Sequence, residues 1–322
     1  MDRPGAVAQL RRAVSEFAQN YLKGTDPWCV ALSGGPDSLA LTAIAAGLRP
    51  ITALIVDHGL QADSALVAET ARTQAVSLGC QEARVLRVQV GGPALKGGPE
   101  AAARAARYAA LEDHRDGPVL LAHTLDDQAE TVLLGLGRGS GARSMAGMRP
   151  YDPPWCRPLL GIRRAVTHGA CAELGLTPWQ DPHNTDRRFT RARLRSEVLP
   201  LLEDVLGGGV AEALARTATA LREDTDLIDA LAADALPVVS TGAGLDTAAL
   251  AALPAPVRRR VIRGWLLAGG AIGLTDKQIR GVDTLVTAWR GQGGVAVGSR
   301  LRGQRLFAGR CDGVLTLRQQ AI

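Results

Sequence analysis

The chain has 322 residues, 46% of them apolar, and a formal net charge of +5. That length suits two domains with a sizeable core. No apolar run reaches the roughly 18 residues of a membrane span, the N-terminal stretch lacks the apolar core of a secretory signal, and Cys29, Cys80, Cys156, Cys171 and Cys311 form no C-x-x-C pair, so zinc or iron–sulfur ligation is not suggested and a cytoplasmic protein is expected. The positive charge is unevenly placed. Of 34 Arg and 3 Lys, eleven Arg lie between Arg138 and Arg195 against four acidic residues, a balance of +7, while the rest of the chain sums to −2. A confined basic segment suits a polyanionic partner.

Residues 6–22 are predicted as an amphipathic helix. Strands at 28–32, 51–56, 83–90 and 118–122 then alternate with helices at 37–47, 62–78, 99–114 and 125–135. Apolar strands spaced by helices predict an α/β fold, a parallel sheet with helices on both faces, whose ligands bind beyond the carboxyl ends of the strands. A Gly/Pro-rich connector covers 91–99. Past Arg138 the pattern loosens around Pro150, Pro153, Pro154 and Pro158. Further helices are expected at 163–175, 187–203, 210–235, 247–268 and 275–290, the last capped by Thr275, followed by short terminal strands. Gly207, Gly208 and Gly209 read as a hinge, which divides the chain into domains at 1–205 and 210–322, the second smaller and mainly helical.

The sharpest local signal is Ser33-Gly34-Gly35-Pro36-Asp37-Ser38 at the junction of the first strand and its helix. Such a junction aims backbone N–H groups and a helix N-terminus at one spot, and its glycines admit a phosphate closely. It has neither the Lys of G-x-x-x-x-G-K-[ST] nor the spacing of G-x-G-x-x-G. Asp57-His58-Gly59 ends the second strand, where a charged pair can reach a nucleotide or a metal, or simply cap the strand. Glu100, Arg104, Arg107 and Tyr108 follow on a helix; periodicity alone makes Glu100 and Arg104 an i, i+4 ion pair. His123, Asp126, Asp127 and Glu130 come next, within eight residues of the fourth strand. Carboxylates at a helix start are favoured by its dipole. They also suit Mg²⁺ with phosphates, or a cationic substrate, and spacing does not separate those roles. Arg138 sits in a glycine-rich segment from which it can swing onto a phosphate.

In chain order, Ser-Gly-Gly-Pro-Asp-Ser, Val-Asp-His-Gly-Leu, Glu-x-x-x-Arg-x-x-Arg-Tyr, Ala-His-Thr-Leu-Asp-Asp-Gln-Ala-Glu-Thr, Arg-Gly-Ser-Gly, Arg157-Pro-Leu-Leu and Asp181-Pro-His-Asn-Thr-Asp through Arg195 resemble the tRNA(Ile)-lysidine synthase family of the PP-loop ATP pyrophosphatase superfamily, over roughly residues 25–200. The resemblance implies a PP-loop ATP-binding catalytic domain and a C-terminal tRNA-binding domain. It implies that ATP adenylates C2 of the wobble cytidine in the CAU anticodon of tRNA(Ile), and that free L-lysine then displaces AMP. It assigns Ser33, Gly34, Gly35, Pro36, Asp37, Ser38, Asp57 and His58 to ATP. Asp37, Arg104, His123, Asp126, Asp127 and Arg138 would serve catalysis, with Asp37 and Asp127 as candidate Mg²⁺ ligands. Tyr108, Asp127, Glu130, Asn184, Arg187, Arg188, Arg191 and Arg195 would meet lysine or tRNA. Trp155, Trp179 and Phe189 are candidate base-stacking rings or core residues, and Arg258-Arg259-Arg260 would help grip the tRNA body. A homodimer is one candidate assembly, and no membrane partner is expected. The sequence departs from the family pattern at Thr124 (usually His), His183 (usually Ser) and Ala192 (usually Asn). Two rival readings are a thiolase-type PP-loop tRNA-modifying enzyme and a non-catalytic nucleotide- or RNA-binding module.

Overall fold

A computed structural model describes residues 4–24, 26–59, 63–89, 98–139, 141–182, 186–301 and 303–321. Most of the 91–99 connector, with His183 and Asn184, lies outside the described residues. The first elements are α1 (Ala6–Tyr21), β1 (Trp28–Ala31), α2 (Pro36–Ala46), β2 (Ile51–Asp57), α3 (Ser64–Ser77), β3 (Glu82–Arg87), α4 (Gly98–His114), β4 (Val119–Leu120) and α5 (Leu125–Gly137). There follow α6 (Ala142–Met145), β5 (Tyr151–Asp152), β6 (Trp155–Cys156), α7 (Arg164–Glu173), α8 (Thr190–Arg193), α9 (Leu199–Val205) and the long α10 (Val210–Val239). The chain ends with β7 (Ser240–Thr241), β8 (Gly244–Asp246), α11 (Thr247–Ala252), α12 (Ala255–Ala268), β9 (Ala271–Ile272), α13 (Asp276–Thr287), β10 (Val295–Ser299), β11 (Gln304–Cys311) and β12 (Val314–Ala321).

Two compact units emerge, one of Met1–Arg138 with Gly147–Ala218, the other of Gly139–Ala146 with Thr219–Ile322. The first is the expected α/β layer structure. Its sheet runs β3-β2-β1-β4-β6-β5, parallel throughout except for β5, which pairs antiparallel with β6. This edge hairpin is where sequence reading saw only prolines. Its strands are two residues long, too short to carry a periodic signal.

Side chains alternate across the sheet as the pleat demands. Trp28, Val30, Ala53 and Ile55 point into a core shared with α1, α2, α3 and α7, whereas Cys29, Leu54 and Val119 point to the other face, against Ala110 and Leu111 of α4. The chain steps from β1 outward to β2 and β3, then crosses to β4 on the other side of β1. That reversal opens a crevice at the carboxyl ends of β1 and β4.

The second unit carries a six-stranded sheet, β7-β8-β12-β11-β10-β9, antiparallel at each pair, with its own core from α11, α12 and α13. Thr275 caps α13 in a reciprocal box with Gln278, as expected. The single helix expected over 247–268 is two. Pro254 forces Leu253 to extended backbone (ψ 144°), ending α11 and starting α12. Likewise the helix expected from 187 begins at Thr190, and Leu194–Val198 winds as a wider π turn ahead of Pro200, which has no N–H to donate. No described helix is long and apolar enough to cross a membrane.

Candidate functional site

The Ser33–Ser38 turn leaves β1 and opens α2. Gly34 adopts φ +82°, where a side chain is strained, and its carbonyl accepts from the Trp179 N–H at 2.9 Å. Ser38 Oγ donates to the Gly35 carbonyl (3.0 Å) and accepts from the Ser33 N–H (3.2 Å), closing the turn on itself. Gly35 is the N-cap of α2, with no side chain to satisfy the first helical N–H groups, and Pro36 follows it. Those donors are left for an anion.

Asp57 is buried, its Oδ1 accepting from the Gly59 N–H at 3.0 Å. A cavity of about 440 Å³ opens at this strand end, walled by Ser33, Asp37, Ser38, Asp57, His58, Arg107, His123, Trp179 and Asp181 among others. Three ring or guanidinium nitrogens at its wall, His58 Nδ1, Arg107 Nε and His123 Nδ1, are buried without a hydrogen-bond partner among the described residues. Burial, with the nearby Arg107 charge, lowers the His58 pKa against the pull of Asp57. Burial, reinforced by Arg157, Arg107 and Arg104, lowers that of His123 to about 3 although Asp127 opposes it. Both rings are therefore neutral near pH 7.

Beside the cavity, at the start of α5, the acidic residues converge. Thr124, the departure from the family pattern, is the N-cap: its N–H and hydroxyl both donate to Asp127 Oδ2, at 2.8 and 2.9 Å, in a reciprocal capping box. Glu130 is fully buried.

The partner of all these carboxylates is Arg164, at the start of α7, which sequence reading did not single out. Its guanidinium reaches Asp127 Oδ1 (2.5 Å), Asp37 Oδ2 (3.4 Å) and Glu130 Oε1 (3.4 Å), and its backbone N–H donates to Asp126 Oδ2 (2.7 Å). The Thr167 hydroxyl, one turn on, donates to Asp37. Burial raises the Asp37 pKa even so. Burial also acts to raise that of Asp127, but Arg164, the Thr124 donors and His123 together hold it below the usual range. Arg195 completes the cluster: Nε donates to Glu130 Oε1 at 2.8 Å and Nη2 to Oε2 at 3.2 Å, with Asp127 Oδ1 at 3.4 Å. Arg191 is 3.9 Å from Glu130, and Arg163 is 3.5 Å from Asp126. Four carboxylates thus face four guanidiniums, of which Arg163 is shared with Glu203 at 3.6 Å and Glu212 at 3.5 Å.

The remaining expected residues divide. Arg104 is exposed and absent from the cavity wall; it donates to the Tyr108 hydroxyl (3.2 Å) and lies over that ring. Arg107, one turn of helix face away, takes the wall position instead. Tyr108 packs edge-on against Trp155, 4.7 Å between centroids, so both belong to the core layer, whereas Trp179 lines the cavity. Arg138 caps α5 with an exposed side chain that no described contact brings to the cavity. Arg187 and Arg188 precede α8, exposed, on Glu197 and Asp186. In the second unit Arg258 is not available to a surface partner: it is buried, bonding Asp283 at 2.5 Å and the Leu253 carbonyl at 2.8 Å.

Asp37 Oδ2 and Asp127 Oδ1 converge on one cation, the Arg164 guanidinium, and such a hard oxygen pair, with substrate phosphates, is what Mg²⁺ accepts. Among the described residues no group of three His, Cys, Asp or Glu side chains forms a metal cage without phosphate.

Residues 7–202 match the family described as PP-loop domain, and residues 245–311 that described as TilS substrate binding domain. The chain is 78% identical to the tRNA(Ile)-lysidine synthase of Mycobacterium tuberculosis over 100% of both chains. It is 62% identical to that of Nocardia farcinica over 97% of this chain and 98% of the other. Among solved structures, the U34-tRNA thiolase NcsA from Methanococcus maripaludis has the same fold, with a TM-score of 0.56 at 18% identity, covering 68% of this chain and 80% of that one.

Proposed function

From the premise that the chain belongs to the tRNA(Ile)-lysidine synthases, PP-loop ligases that use ATP, we propose how its residues divide the joining of free lysine to the wobble cytidine of tRNA(Ile). The observation that carries the reading is the adjacency of two features across the β1–β4 crevice: a glycine turn with open N–H donors, and the acidic cluster at the start of α5.

The Ser33–Ser38 turn holds the phosphates of ATP, with the nucleoside in the cavity walled by Asp57 and His58. Attack on the α-phosphate by O2 of the flipped cytosine needs positioning and charge neutralisation more than covalent help. Arg107 at the cavity wall supplies a cation without a carboxylate partner among the described contacts, and Arg104 adds charge from outside. Asp37 and Asp127 would hold Mg²⁺, which when bound neutralises the developing phosphate charge.

Asp127 and Glu130 receive the side-chain ammonium of lysine. That amine has a pKa of about 10.4 in water and must shed a proton before it attacks C2. His123 presents a neutral ring with Nδ1 unpartnered at the wall. Its lowered pKa keeps the ring neutral, so a proton taken from the amine passes on to bulk water rather than staying on His123. Arg187, Arg188, Arg191 and Arg195 belong to the basic segment that meets the anticodon-stem phosphates, with Asn184 beside them in sequence.

Pyrophosphate release and labelled-lysine incorporation, assayed with tRNA and lysine added separately and together, test this. Release should require tRNA alone, and incorporation should require both. Glu130→Gln should keep release and lose incorporation, and Asp127→Asn should impair both. Normal rates of both steps in that variant would remove Asp127 from the mechanism, and release with a sulfur donor but without lysine incorporation would favour the thiolase chemistry.

A further inference from the structure

Asp127 and Glu130 are already held by Arg164 and Arg195 before any ligand arrives, and Arg195, with Arg191, is among the arginines assigned to RNA. Glu130 is 0% exposed and Arg164 only 15%, so Arg164 is locked in place. Arg195 and Arg191 are different: their side chains are 32% and 40% exposed, reaching Glu130 from the solvent side. An incoming ammonium would be a third cation on Asp127 and Glu130, beside Arg164 and Arg195, and placing it there without removing another charge is costly in a desolvated site.

A phosphate is an alternative partner of equal geometry. Arg195 grips Glu130 through Nε and Nη2 as a fork, and the same fork fits two phosphate oxygens. We propose that Arg195, aided by Arg191, is a positioning residue that exchanges Glu130 and Asp127 for backbone phosphates of the docked RNA, and so opens the lysine site only when tRNA is bound. This rests on the reading that Asp127 and Glu130 hold the lysine ammonium. The physical consequence is a positive coupling between the two substrates. Lysine does not compete with Arg195 once RNA holds it, and the enzyme does not accumulate lysine in a site with no acceptor.

Linkage makes the claim exact in form: the factor by which tRNA tightens lysine must equal the factor by which lysine tightens tRNA. The experiment measures both Kd values by calorimetry, with α,β-methylene ATP present so that no adenylation occurs. For the unaltered enzyme the two factors should agree at about fivefold or more. In the Arg191→Ala/Arg195→Ala variant, lysine without RNA should bind as tightly as it does to the unaltered enzyme with RNA, and the coupling should vanish. Arg195→Lys, which keeps a cation but not the fork, should restore only part of it.

A coupling factor of one in the unaltered enzyme overturns the proposal and needs no variant that might misfold. So does wild-type coupling in a double variant whose circular dichroism is native. Failure of the underlying reading looks different: Asp127→Asn and Glu130→Gln would then bind lysine as well as the unaltered enzyme does, whatever the coupling.

Discussion

Two adjacent glycines in the phosphate turn separate backbone need from ligand space. Gly35 has φ −72° and ψ 164°, a conformation open to any residue. A Cβ built there meets nothing nearer than Ser33 Oγ at 3.6 Å, ordinary contact. Alanine would restrict the unfolded chain, which stabilises, and would be a poorer N-cap than glycine, which destabilises; each effect is on the order of 0.5 kcal/mol and they oppose. The melting temperature of Gly35→Ala should therefore stay within about 2 °C. The added methyl nevertheless sits on the rim that phosphate oxygens must cross, so ATP affinity should fall at least about tenfold, or about 1.4 kcal/mol.

Gly34→Ala makes the contrast. Its neighbours Ala71 and Trp179 leave room, at 3.6 and 3.7 Å, but φ is +82°. The left-handed backbone costs a Cβ-bearing residue about 1–2 kcal/mol. At about 2–4 °C per kcal/mol for a unit of this size, the melting temperature should drop by about 2–8 °C. Calorimetric melting and equilibrium binding of α,β-methylene ATP on both variants decide the matter. Wild-type ATP affinity in Gly35→Ala, or an equal loss of melting temperature in both, would refute the reasoning.

Two further outcomes follow from the cluster. Arg164→Met strips one cation from three carboxylates while Arg195 still compensates Asp127 and Glu130, so the loss should fall at the low end for a broken buried pair, about 3 kcal/mol, or about 6–12 °C by differential scanning calorimetry; an unchanged melting temperature contradicts it. For His123, folding lowers the pKa from 6.5 to about 3, so between those values the unfolded chain binds the extra proton and stability falls as pH falls. His123→Asn should remove a slope of up to about 1.4 kcal/mol per pH unit from urea-derived stability below about pH 6.5, and curves for the two proteins that stay parallel would exclude it.

How much was legible in the sequence depended on range. The glycine turn, the Asp57-His58 strand end and the His123-to-Glu130 block announce themselves because each is a contiguous run at a strand's carboxyl end, where chain direction alone aims it. Thr124 shows the limit of that reading: the sequence marks it only as a departure from pattern, and the structure shows it to be the N-cap that bonds Asp127. Arg104 and Arg107 are three residues apart, and only the packing of α4 on the sheet put Arg107 at the cavity and left Arg104 over Tyr108. Arg258 reads as one of three equivalent surface arginines until Asp283, 25 residues later, takes it inside.

What the sequence by itself determined is the layered α/β fold, the ATP turn and the family, since period, turn chemistry and motif spacing are local properties of the chain. Only the tertiary structure decided the charge state of the site. Arg164 lies 34 residues from Glu130 and 127 from Asp37, and Arg195 lies 65 from Glu130. Burial converts such distant pairs into strong interactions and lowers the His123 pKa, because removing water strengthens every charge that remains and penalises each one left unpaired.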